Sequence, residues 1–179
     1  TALLPEHAGP TEVVPVSDEP TGEEVLVTNG MESRAQVLAG IRDAREAISR
    51  HEAPRILTLG GDCAVSVVPF TELAARYGED LAVVWIDSHP DIGTSHSQYP
   101  VYHAMAVSHI IGTGDAEVME ELAAFVSPTR VALAGLHSWT EDDYPNIARW
   151  GLYAFSPANL RDSTTPLLRW LEATGCSRV

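Results

Sequence analysis

Residues 81–86, L-A-V-V-W-I, are apolar without a break, and what flanks them decides the architecture. A run of this length rich in valine, isoleucine and tryptophan reads as a strand buried on both faces, the kind found in parallel sheets covered by helices. Before it, R-I-L-T-L (55–59) reads as a strand and Ser66 to Tyr77 as a helix, with Pro69 tolerable in the first turn and Gly78 just past the end. After it, a long loop leads to a helix from Tyr102 to Ile111 and a second helix, capped by Asp115, through A-E-V-M-E-E-L-A-A-F. The strand R-V-A-L-A-G follows, Thr140 with Asp143 opens a short helix, and L-Y-A-F (152–155) is another strand. Thr165-Pro166 starts a helix that ends at Gly175, and C-S-R-V (176–179) has the look of a strand beginning. Strand and helix alternating in this way predict an α/β fold with a mostly parallel sheet, helices on both faces and function at the loops after the strands.

The opening of the chain is less regular. E-V-V-P-V (12–16) reads as a short edge strand, and residues 17–33 as polar loop with a small apolar piece at V-L-V (25–27). Val37, Leu38, Ile41, Ala44 and Ile48 recur at helical spacing, which predicts an amphipathic helix from Ser33 to Glu52, ended by Pro54.

At 179 residues the chain suits one domain, 1–179. With 25 acidic and 11 basic side chains the net charge is −14, which argues against a nucleic-acid surface and suits either a solvated exterior or a cationic small molecule. No stretch approaches the roughly 18 apolar residues of a membrane span, and T-A-L-L-P-E-H-A-G-P lacks the pattern of a secretory leader, so the expectation is a cytoplasmic protein with no membrane partner. Cys63 and Cys176 are too few for a disulfide framework and are expected to remain unpaired, at opposite edges of the sheet.

Chemistry gathers at two strand ends. In D-S-H-P-D, Asp87, His89 and Asp91 alternate, so a chain leaving its strand extended would turn all three to one side, where two carboxylates and an imidazole suit Mn²⁺, Fe²⁺, Ni²⁺ or Zn²⁺. The same pattern also serves a polar turn with an aspartate cap and a surface histidine. L-T-L-G-G-D-C-A places Cys63 at the end of the preceding strand.

These motifs in this order resemble the ureohydrolase family of arginases, agmatinases and formimidoylglutamases, whose signature is G-G-D-H-S, then D-A-H-x-D, then a histidine before G-M or a similar pair. Here the pieces read G-G-D-C-A, D-S-H-P-D and Y-H-A-M, and the resemblance spans roughly residues 33–179. It implies a three-layer αβα sandwich, a pair of Mn²⁺ ions that activate water against a guanidinium carbon, and a homo-oligomer, trimer or hexamer. By the same resemblance Asp87 bridges both ions, Asp91 binds the first, His89 binds the second, and His103 stands outside the metal shell as a proton shuttle. Asp91 and His103 are then the residues nearest the reaction.

The departures shape the expectation. Cys63 stands where the family has a histidine ligand to the first ion. Three readings stay open: a thiolate ligand to a softer ion such as Zn²⁺ or Fe²⁺, a weakened first site in which one ion works alone, or a site that has lost its metal. Gly93 and Y-P-V-Y replace the Asn and Ser that read the substrate carboxylate in arginases, so arginine is not the favoured substrate. His137 and Trp139, in A-G-L-H-S-W-T, are expected at the pocket mouth. His96 has a similar standing, whereas His7, His51 and His109 read as surface or helix-packing residues. The family carries a second acidic motif, D-x-D, on a later strand, and the chain stops at Val179 as that strand begins, so a domain incomplete at both ends is expected. The function implied is a metal-dependent amidinohydrolase acting on a guanidino or formimino compound. A non-catalytic relative and a single-metal, deacetylase-like hydrolase are the alternatives.

Overall fold

The computed structural model describes residues 9–16 and 27–179. Its centre is a three-stranded parallel sheet in the order β3 (Val83–Ile86), β4 (Val131–Ala134), β5 (Tyr153–Phe155), with Val83 opposite Val131 and Ala132 opposite Tyr153. Every residue of β4 is buried, as the central strand of a covered sheet should be.

Alternation along the strands sorts the core into two layers. Val83, Trp85, Val131 and Leu133 pack with α1 (Arg34–Ser49), α2 (Val67–Tyr77) and α3 (Ala106–Ile110), and Trp85 meets Phe70 of α2 edge to face at 6.2 Å. Ala82, Val84 and Ala132 face the other way, onto Trp170, Leu167 and Leu171 of α7 (Thr165–Thr174). The result is the three-layer αβα sandwich.

Local signals explain most boundaries. Gly78, at φ 56°, closes α2 and Gly175, at φ 70°, closes α7, while Pro166 sits in the first turn of α7. Asp115 caps α4 (Ala116–Glu120) by accepting the amides of Glu117 and Val118. Between β4 and β5 lies α5 (Pro145–Trp150), and after β5 comes α6 (Pro157–Asp162), opened by a reciprocal capping box between Ser156 and Asn159.

Several expectations need correction. The segment 12–16 forms no strand: Val13 and Val16 lie in solvent, and Pro15 removes a ladder donor. R-I-L-T-L is not a strand either. Leu57 is 79% exposed and among the described residues the segment joins no ladder, because an apolar pattern makes a strand only against a neighbour. The helix expected through Phe125 stops at Glu120, since the chain must turn for Val126 to reach the core and donate its amide to Ile110. The span 102–111 divides into a 3-10 turn, Tyr102–Met105, and α3. Thr140 and Asp143 bond each other in a turn, and the helix begins only at Pro145. Within the piece expected at 25–27, Val25 and Leu26 lie outside the described residues. Val27–Thr28 is β1, hairpinned to β2 (Met31–Glu32) through Asn29 and Gly30, both at positive φ. C-S-R-V contributes one parallel bridge, Arg178 to Leu81, on the side of β3 away from β4.

Candidate metal centre

Two loops meet at the carboxyl end of β3. Asp87 follows Ile86 directly, and Cys63 opens a 3-10 turn, Cys63–Ser66, whose start is fixed by Asp62 accepting the amide of Ala64. The Cys63 thiol donates to Asp87 Oδ2 across 3.3 Å. Asp91 completes the cluster, and ligand atoms of Cys63, Asp87 and Asp91 all lie within 4.8 Å of one another.

Asp91 is held there by its backbone. It takes φ 48°, the left-handed region that Asp tolerates better than most residues, and its carbonyl accepts the amides of Val107 and Ser108 at the start of α3. The chain bends at residues 87–89, which breaks the alternation expected of D-S-H-P-D. His89 stands outside this group of three. Its amide donates to Asp87 Oδ1, and its ring, 58% exposed, has Nδ1 3.0 Å from Ser88 Oγ and 3.5 Å from Asp87 Oδ1.

The electrostatics follow from this packing. Asp91 is only 5% exposed, and burial, with Asp87 adding to it, pushes its carboxyl up to about 6 despite the Cys63 thiol. Its Oδ2 is buried without a hydrogen-bond partner. Burial acts on Asp87 in the same direction, but the His89 amide, the Cys63 thiol and Ser88 outweigh it and hold that carboxyl low. Burial and the two facing carboxylates push the thiol up. Two acids and a thiol with an orphaned buried oxygen form a donor set that suits a divalent cation. They fit one ion; for a second, the described residues supply Asp87 and the outward-turned His89.

Around this cluster, His103 lies on the 3-10 turn before α3, half exposed, with Nδ1 4.0 Å from Asp62 Oδ2 and its ring against the edge of Tyr99 at 5.8 Å. Gly93 donates to Ala104 O, and a Cβ there would stand 2.9 Å from that oxygen, so the close approach requires glycine. The amides of His137 and Ser138 both donate to Ser88 O, which sets the loop after β4 beside the cluster. Trp139 stacks on Tyr144 with centroids 4.5 Å apart. His96 is an exposed loop residue, His51 pairs with Glu12, His109 is wholly buried, and His7 lies outside the described residues.

Sequence reasoning missed the residues that fasten the loops. Ser97 Oγ donates to Asp143 Oδ1 at 2.6 Å and the Gln98 amide to Asp142, tying the long loop after Asp91 to the loop after β4. Only proximity in space reveals this pair. Asp62, beside His103, stood in the motif itself and was legible there. The two cysteines are free, at opposite ends of β3 and not at opposite sheet edges: Cys176 Sγ lies 3.4 Å from Glu79 O, before the strand.

Fold and cluster together define an αβα-sandwich protein with a candidate divalent-cation site where a parallel sheet ends. The sequence profile of the Arginase family matches residues 11–174, and the chain belongs to that family. It is 25% identical to an arginase of Bacillus caldovelox over 153 residues, covering 79% of this chain and 50% of that protein. With an arginase of Agrobacterium fabrum it shares 30% identity over 98 residues, 52% of this chain and 30% of the other. The Entamoeba histolytica arginase structure, in complex with L-ornithine, superposes with a TM-score of 0.74 at 18% identity, covering 89% of this chain and 56% of that one. The chain thus spans about half, or less, of the length of the curated relatives it matches.

Proposed function

We propose that the protein containing this chain is a metal-dependent amidinohydrolase that cleaves a carbon-nitrogen bond of a small guanidino or formimino compound. The observation that carries this reading is the convergence of Cys63, Asp87 and Asp91 around a buried carboxylate oxygen with no partner. A divalent ion at such donors supplies Lewis-acid activation of water. Asp87 stands between the buried cluster and His89, so it is the carboxylate positioned to be shared if two Mn²⁺ ions bind. His103, open to solvent and backed by Asp62, is placed to carry a proton to or from the leaving amine. His137 and Trp139, on the loop whose amides bond Ser88 O, would meet a substrate on its way in.

A cationic ligand suits the net charge of −14, and the ornithine complex of the Entamoeba enzyme shows a basic aliphatic molecule bound by a protein of this fold. Arginine itself is disfavoured. At Gly93 the backbone abuts Ala104 O, leaving no side chain there to donate to an amino-acid carboxylate. A site without such donors discriminates weakly for that group.

Urea and amide release from arginine, agmatine, guanidinobutyrate and formiminoglutamate, measured with the 179-residue chain and with the full-length protein in Mn²⁺ and, separately, in Zn²⁺ and Co²⁺, tests this. The 179-residue chain should turn over none of them, because its described residues complete only one ion's shell. The full-length protein should favour a substrate without the free amino-acid end. Strong preference for arginine would refute the pocket reading, and no turnover of any amidine would refute the activity.

A further inference from the structure

We propose that Cys63 makes this centre selective for a thiolate-accepting divalent ion, of the Zn²⁺ or Co²⁺ type, over Mn²⁺. The proposal rests on the reading that the cluster binds a metal, and adds which class of ion it takes. Tetrahedral coordination with bonds of about 2.3 Å to sulfur and about 2.0 Å to oxygen separates the two ligand atoms by about 3.5 Å. Cys63 Sγ already stands 3.3 Å from Asp87 Oδ2. The third donor is independent evidence that the pocket wants a cation: Asp91 is 95% buried, and its Oδ2 has no hydrogen-bond partner.

The donor chemistry then chooses among ions. Mn²⁺ is a hard ion that prefers carboxylate, carbonyl and water, and it stands lowest in the divalent affinity order, whereas a thiolate favours Zn²⁺ and Co²⁺. The His89 imidazole stands beside the three donors and not among them, with Nδ1 3.0 Å from Ser88 Oγ and 3.5 Å from Asp87 Oδ1. When the ion enters, the S–H bond breaks, the metal–sulfur bond forms and the proton passes to solvent. The order of metal preference should therefore be governed by a single side chain.

The test uses the 179-residue chain and four variants. Co²⁺ and Cd²⁺ titrations should give a sulfur-to-metal charge-transfer absorption at one equivalent, and Zn²⁺ competition and Mn²⁺ electron paramagnetic resonance should give the two affinities. Cys63→Ser should abolish the absorption and lower the Zn²⁺-to-Mn²⁺ affinity ratio by at least about tenfold. Cys63→His should raise Mn²⁺ affinity. Asp91→Asn should weaken every ion, and Cys176→Ser none. Binding without the charge-transfer absorption, or an affinity ratio unmoved in Cys63→Ser of native circular dichroism, overturns the selectivity and leaves the metal centre standing. If no ion binds the folded chain at all, the metal centre falls, and the selectivity with it.

Discussion

Removing the Arg34 guanidinium would leave Asp115 without its cation in a poorly hydrated place, while Glu117, half exposed, would turn to water. Its Nη1 and Nη2 bond both oxygens of Asp115, at 3.0 and 2.6 Å, and Glu117 adds a second contact, all at the start of α4. Arg34 is 8% exposed and the Asp115 side chain 10%. Arg34→Ala should therefore cost about 3–5 kcal/mol in urea denaturation. Arg42→Ala, which breaks an open pair with Glu121, should cost less than about 1 kcal/mol. His109 gives one part of the pH dependence. Burial holds its imidazole down to about 4 although its Nδ1 meets Met105 O, and its Nε2, by accepting the Asp115 amide, requires the neutral ring. The unfolded chain binds this proton near 6.5 and the folded chain only near 4, so stability is whole above 6.5 and is lost as pH falls toward 4. The loss amounts to about 3 kcal/mol. Asp91, raised to about 6, acts in the opposite sense over the same range, so the His109 contribution is read by difference: between pH 7 and 4.5 the denaturation midpoint of His109→Gln should lose the acid-side fall that the native chain owes to this imidazole.

At the scale of elements, those that the sequence made legible carry their own reasons. L-A-V-V-W-I and R-V-A-L-A-G are strands because both faces are covered, and α2 and α7 are bounded by proline and glycine in their proper places. R-I-L-T-L has the same composition and no ladder, which a one-dimensional pattern cannot distinguish. In the site, Asp87, Asp91 and Cys63 were legible as candidates, but the position of His89 beside the three was not, because it depends on the bend at 87–89 in which its amide closes onto Asp87 Oδ1. The β1–β2 hairpin was legible from Asn29-Gly30 and went unread. It braces the site loop: the Glu32 amide donates to Pro100 O, and a Cβ on Gly30 would fall 1.9 Å from Ser95 O. Gly30→Ala, at φ 74° and against backbone, should destabilise by about 1–3 kcal/mol and release protection of the Glu32 amide from hydrogen exchange.

Across the whole molecule, the free edge of the sheet is that of β3. Ile86 is 85% exposed, and on that side the described residues give β3 only the Arg178 bridge. An edge of this kind invites pairing, so the 179-residue chain should associate with concentration in sedimentation despite its charge of −14, and Ile86→Lys should suppress the association. The opposite quality belongs to the rim of the metal centre. The loop after Asp91 is fastened at Thr94 to Ser97, at Ser97 and Gln98 to Asp143 and Asp142, and through Pro100 to the hairpin. A rim so fastened does not gate. Arrival of a divalent cation should then be a matter of diffusion through the negative field of the molecule. In stopped flow it should appear as one phase, linear in cation concentration, slowed by added salt and indifferent to any conformational clock.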